Sequence, residues 1–193
     1  MKKRPARMPR VVVLGCGNPS RGDDALGPAL MSRVETWIQV HPDRPVTAVE
    51  DFQLQVEHTL DLQGRDLALF VDATASGHES VVLHRVEPAV DFSFTTHALS
   101  PPALLQAFVT LDRGTPPPAF SLAVRGYSFG LGQALSPQAA QSLEAAWVLL
   151  ERMLESPSMK NWEELCTPEA GPPHYPHHAE APESLAPTPW QPD

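Results

Sequence analysis

Two adjacent carboxylates, Asp23 and Asp24, follow a short apolar run and a glycine-rich turn: residues 11–27 read Val-Val-Val-Leu-Gly-Cys-Gly-Asn-Pro-Ser-Arg-Gly-Asp-Asp-Ala-Leu-Gly. A third carboxylate, Asp72, ends another apolar run in Leu-Phe-Val-Asp-Ala. An imidazole, His97, stands in Phe-Thr-Thr-His-Ala-Leu-Ser-Pro, just ahead of a predicted helix. Open α/β sheets place their chemistry outside the carboxyl ends of the strands, where loops after neighbouring strands meet. Two carboxylates and one imidazole gathered there would suit a divalent first-row metal such as nickel, zinc or iron. Three protein ligands would leave positions open for others. Each residue also has a plainer reading. Asp23 or Asp24 could cap a helix, Asp72 could close a strand-end turn, and His97 could bond nearby backbone. The chemical reading rests on their joint placement.

The elements that must position these residues follow from the apolar pattern. Residues 11–14 read as a buried parallel strand, β-branched and free of charge. Residues 25–40 read as a helix with Leu26, Leu30, Val34 and Trp37 on one face. Residues 46–49, 67–71, 81–86 and 120–124 are further strand candidates. Residues 53–62 and 101–111 are shorter helix candidates. Ser136-Pro137 supplies an N-cap and first-turn pair for a long helix to about residue 154. Strands alternating with helices predict an α/β fold: a three-layer αβα sandwich with a mostly parallel twisted sheet and helices on both faces.

Composition limits the alternatives. Residues 1–9 are expected to form a flexible basic N-terminus and residues 10–156 the folded domain. Residues 157–193 hold nine of the 22 prolines, and six acids against one lysine. This Pro-rich acidic tail is expected to be disordered, because it offers little to bury against its ordering entropy. Its His174, His177 and His178 read as a solvated cluster. The formal net charge of -9 argues against a nucleic-acid partner, which requires cations to displace phosphate counterions. The apolar run after the basic N-terminus is too short for a signal core or a membrane span. Two cysteines without a CxxC partner fit a reducing compartment, so a cytoplasmic location without membrane insertion is expected. Gly15-x-Gly17 is a weak dinucleotide signal: the third glycine is replaced by Ser20, and two aspartates would repel a pyrophosphate.

The same residues carry a family resemblance. Residues 15–27 resemble the N-terminal signature of the hydrogenase maturation endopeptidases, nickel-dependent C-terminal processing proteases. Residues 51–57, Asp-Phe-Gln-Leu-Gln-Val-Glu, are similar to the family's Gln-Leu-x-x-Glu segment. Phe70-Val71-Asp72-Ala73 resembles its acidic strand end, and residues 97–105 its histidine segment. Residues 125–132, Arg-Gly-Tyr-Ser-Phe-Gly-Leu-Gly, and Leu135-Ser136-Pro137 resemble its last loop and closing helix. The resemblance spans about residues 10–155.

It implies an αβα sandwich and a single endoproteolytic cut. That cut removes a C-terminal extension from the [NiFe]-hydrogenase large-subunit precursor after nickel insertion. The family's metal-contacting acid, aspartate and histidine map onto Asp24, Asp72 and His97, which would be both the catalytic and the metal-contacting residues. Gly17, Asn18, Gly22 and Asp23 would form the supporting loop, with Asp23 as helix cap. The nickel would arrive with the substrate, zinc or cadmium substituting in vitro. The expected partner is the large-subunit precursor, and a monomer is favoured. The family is sometimes grouped with aspartic proteases, so either the metal or a carboxylate, Asp23 or Asp24, could activate water. Two rival readings are a non-catalytic, nickel-dependent docking checkpoint and a peptidyl-tRNA hydrolase-like enzyme. The opening residues 15–19 also resemble the latter, but it lacks the acid pair and requires a basic surface.

Overall fold

The computed structural model describes residues 7–90 and 99–168. Five strands form one open sheet: β1 (Val11–Cys16), β2 (Val46–Asp51), β3 (Leu67–Thr74), β4 (Val81–Val86) and β5 (Ala119–Arg125). Their order is β2-β1-β3-β5-β4. All pairings are parallel except that of β4 with β5, which is antiparallel. The expected αβα sandwich is therefore correct, with one antiparallel edge strand on an otherwise parallel sheet, a common arrangement in α/β domains.

Period-two alternation divides the strands between two cores. Val11, Val13, Leu69 and Val71 face helices α1 (Leu26–Val40) and α4 (Pro137–Glu155). Val12, Leu14, Ala68 and Phe70 face the opposite layer, with Leu62 of α2 (Thr59–Leu62) and Leu104, Leu105 and Phe108 of α3 (Pro101–Thr110). The same alternation assigns Cys16, Asp51 and Asp72 to the α2–α3 face, at the carboxyl ends of their strands. The helix starts follow the sequence signals. Ser136 caps α4 by accepting from the Ala139 amide, 3.1 Å away, and Pro137 takes the first helical position.

The ordered domain does not stop at residue 156. Helix α5 (Met159–Leu165) packs Trp162 into the α1–α4 core with no residual exposure. Its indole N–H donates to the Met153 carbonyl at 3.0 Å, and its ring meets Phe120 edge-on at 5.3 Å. Beyond it, the Thr167 amide donates to the Leu83 carbonyl, covering part of the β4 edge. One buried tryptophan outweighs the composition of the segment around it. At the other terminus, Arg7 pairs with Asp66 at 2.9 Å, so the basic segment is tied down by that point. Residues 169–193, with the tail histidines, lie outside the described residues. Among the described residues, no helix is long and apolar enough to cross a membrane.

Candidate functional site

The site is built from the turn after β1. Gly17 has a φ of 144°, and a Cβ there would lie 2.1 Å from the Asp24 carbonyl oxygen. Gly22 has a φ of 57°, and a Cβ there would lie 2.4 Å from the Ser128 carbonyl oxygen. Both positions therefore require glycine, for conformation and for space. The turn is drawn together from inside by Asn18, whose side-chain oxygen accepts from the Ser20 amide at 2.9 Å. A 3-10 turn (Gly22–Ala25) then leads into α1 and carries both aspartates.

The two adjacent carboxylates do different work. Asp23 does not cap α1, as the sequence had suggested: neither the 3-10 turn nor α1 has a side-chain cap bond. Its carboxylate points across the molecule to the loop between β5 and α4. It accepts from the Tyr127 amide (2.6 Å), the Ser128 amide (2.8 Å), the Ser136 amide (2.7 Å) and the Ser136 hydroxyl (2.8 Å). Burial raises the Asp23 carboxyl pKa, but the Ser136, Tyr127 and Ser128 bonds outweigh it and hold the carboxyl below its usual range. With both oxygens committed, Asp23 is unsuited to act as the general base. It is the structural tether of the last loop.

Asp24 turns toward the strand ends. It is 3% exposed, and its Oδ2 accepts from the Asn18 amide at 3.0 Å. Asp72, 9% exposed, accepts from the Ala73 amide at 2.7 Å. Cys16 pairs with Asp51 on β2 and stands one step beyond the Gly15–Val71 pair on β3. Burial pushes the Cys16 thiol up, and Asp72, Asp51 and Asp24, in decreasing order, push it further. The thiol's environment thus combines burial with the negative field of three acids at the same end of the sheet. It also supports the reading of Cys16 as a buried, inert small residue.

Asp51 is the functional candidate that the sequence reading missed. The segment containing it was noted, yet no role was given to the carboxylate. The available signal was the one applied to Asp72: an acid closing a strand-like run. Asp51 Oδ1 accepts from the Phe52 amide at 2.6 Å, and its Oδ2 lies 3.5 Å from His58 Nε2. With Gly17, Pro19, Glu50 and Phe52 it lines a cleft of about 290 Å³. Larger clefts, at the α4–α5 junction and between α1 and α4, lie away from the strand ends.

His97 lies outside the described residues. The described chain resumes at Leu99, whose amide donates to the Leu54 carbonyl at 2.8 Å, and at Ser100, which caps α3 on the Asp72 face. Among the described residues, no three His, Cys, Asp or Glu side chains converge closely enough to form a metal site.

No protein-family model and no curated protein sequence matches the chain. Solved structures do. The hydrogenase maturating endopeptidase HybD from E. coli aligns with a TM-score of 0.57 at 22% identity, covering 77% of this chain and 94% of that one. The [NiFe] hydrogenase maturation protease HycI from Thermococcus kodakarensis aligns at 0.58 and 22% identity, covering 76% and 93%. HybD from Thermococcus kodakarensis aligns at 0.56 and 16% identity, covering 75% and 99%. The chain shares the fold of these proteases over nearly their whole length.

Proposed function

We propose that the chain is an endopeptidase of hydrogenase maturation. It removes a C-terminal extension from a [NiFe]-hydrogenase large-subunit precursor, using nickel already bound to that substrate as the recognition element. One observation carries this reading: Asp24, in the turn that follows β1, and Asp72, at the carboxyl end of the neighbouring parallel strand β3, are both buried at the end of the sheet where a cleft lined by Gly17, Pro19 and Asp51 opens. The fold shared with hydrogenase maturation proteases and the motif order from residue 15 to residue 137 support it independently.

In this reading the nickel is cargo of the substrate. Asp24 and Asp72, joined by His97 on the resemblance stated above, contact it and fix the scissile region against the site. The Asn18 and Ala73 amides help to hold the two carboxylates in place. Hydrolysis then requires a water oxygen to attack the scissile carbonyl carbon and the C–N bond to break. The water's proton passes through a carboxylate to the leaving amine. Asp24 or Asp51 would carry this transfer, whereas Asp23 is committed to the last loop. No membrane or nucleic-acid partner is involved, and the reaction belongs in the cytoplasm, where the precursor would receive its nickel.

The test is to mix pure protein with precursor purified with and without nickel and to follow the precursor's intact mass. Shortening of the nickel-loaded form alone is expected. Binding without shortening would replace this reading with a nickel-dependent checkpoint protein.

A further inference from the structure

His58 is buried, 5% exposed, at the start of the α2 layer. Its Nδ1 accepts the Gln55 backbone N–H at 2.9 Å. A neutral imidazole that accepts at Nδ1 carries its proton on Nε2. That nitrogen lies 3.5 Å from Asp51 Oδ2, while the other carboxylate oxygen accepts the Phe52 amide. His58 Nδ1 also lies 3.2 Å from the Gln55 carbonyl oxygen, so the Nε2 proton belongs to the tautomer in which Nδ1 accepts. The two oxygens of Asp51 thus have different neighbours, the Phe52 amide for one and the His58 ring nitrogen for the other. Asp51 in turn lines the cleft and pairs with Cys16 across the β1–β2 ladder.

We infer that His58 is a positioning residue that holds the Asp51 carboxylate toward the cleft for its part in peptide hydrolysis. The inference rests on the function proposed above. A carboxylate on a strand end has a free χ2 rotation, and a misplacement of about 1 Å in a reacting group can cost as much as 100-fold in rate. The adjacent backbone bond constrains one oxygen, and His58 constrains the plane of the group. His58 also fastens the turn before α2 through Gln55, so its structural and positioning roles must be separated experimentally.

Two substitutions separate them. In His58→Asn the side-chain oxygen can still accept from Gln55, but no donor reaches Asp51. In His58→Gln the longer amide places a donor near the original Nε2. Single-turnover cleavage of nickel-loaded precursor should fall about tenfold in His58→Asn at saturating enzyme, with the half-saturating concentration unchanged. His58→Gln should recover most of that loss. His58→Asn should add nothing once Asp51→Asn is present, because the group it positions is already gone. Thermal midpoints by circular dichroism identify any variant that has lost the fold. Wild-type rates in a folded His58→Asn would overturn the inference, as would equal losses in both variants or losses that multiply with Asp51→Asn. A wild-type protein that leaves the precursor intact would instead sink the proposed function.

Discussion

The two ends of the central strands use aspartate in opposite ways. At the amino end, Asp66 precedes β3 and is met by the Arg7 guanidinium at 2.9 Å and the Arg10 guanidinium at 3.3 Å. The Arg10 backbone amide, ahead of these side chains, holds its carboxyl below the usual range. At the carboxyl end, Asp24, Asp51 and Asp72 are held by the amides of Asn18, Phe52 and Ala73. A guanidinium neutralises a carboxylate, whereas a backbone amide orients it and leaves its negative field in place. One end is therefore a clasp for the N-terminal segment. The other is a group of acids oriented by backbone amides at the strand ends, where the proposed function places the substrate.

Charge removal at the two ends should separate them most. Asp72→Asn or Asp24→Asn should slow cleavage of nickel-loaded precursor by about 100-fold or more. Asp66→Asn should leave cleavage unchanged, and a comparable loss there would break the comparison. The next effect is on stability, measured by urea denaturation. Asp23→Ala strands buried amides of the last loop and should cost about 3 kcal/mol. Asp66→Ala removes exposed ion pairs and should cost about 1 kcal/mol or less. Equal costs would mean that the Asp23 tether carries no more than a surface clasp.

The acid limb of stability sharpens the same point. The Asp23 carboxyl is depressed in the folded state. Its contribution is thus complete above the unfolded carboxylate value, about 3.9, and is lost as pH falls through the lower folded value. The wild-type stability curve should bend downward below about pH 4, and Asp23→Asn should flatten that bend. The smallest effect is a matter of rate. Burial and three carboxylates push the Cys16 thiol up, while Cys166 is only half-buried. Alkylation of native protein, mapped by mass spectrometry, should label Cys166 well before Cys16. Faster labelling of Cys16 would show that the acids do not crowd it.

What was legible from sequence was what local chemistry announces. Residues 11–14 and 67–71 read as buried strands because their apolar runs are unbroken, and Ser136-Pro137 marked the start of α4 because capping is local. Asp72 at a strand end, and Asp24 in the turn after β1, could be placed because strand ends are recognisable in such a pattern. Asp23 was misread because its partners lie 104 to 113 residues away, so its environment is a property of the closed fold. Trp162 was placed in the tail because composition averages over a window, whereas burial of one indole is decided by a single cavity. Asp51 and His58 were passed over because their relation crosses a turn that has no periodic signature. The antiparallel direction of β4 was equally hidden, since alternation is the same in both directions.

The central claim is that the oriented acids at the carboxyl end cut a nickel-bearing peptide. Its most direct test is the intact mass of nickel-loaded precursor after incubation with wild type, Asp72→Asn and Asp66→Asn in parallel. The account predicts a shortened precursor with wild type and Asp66→Asn, and full-length precursor with Asp72→Asn. Shortening at the wild-type rate by a folded Asp72→Asn protein would contradict it.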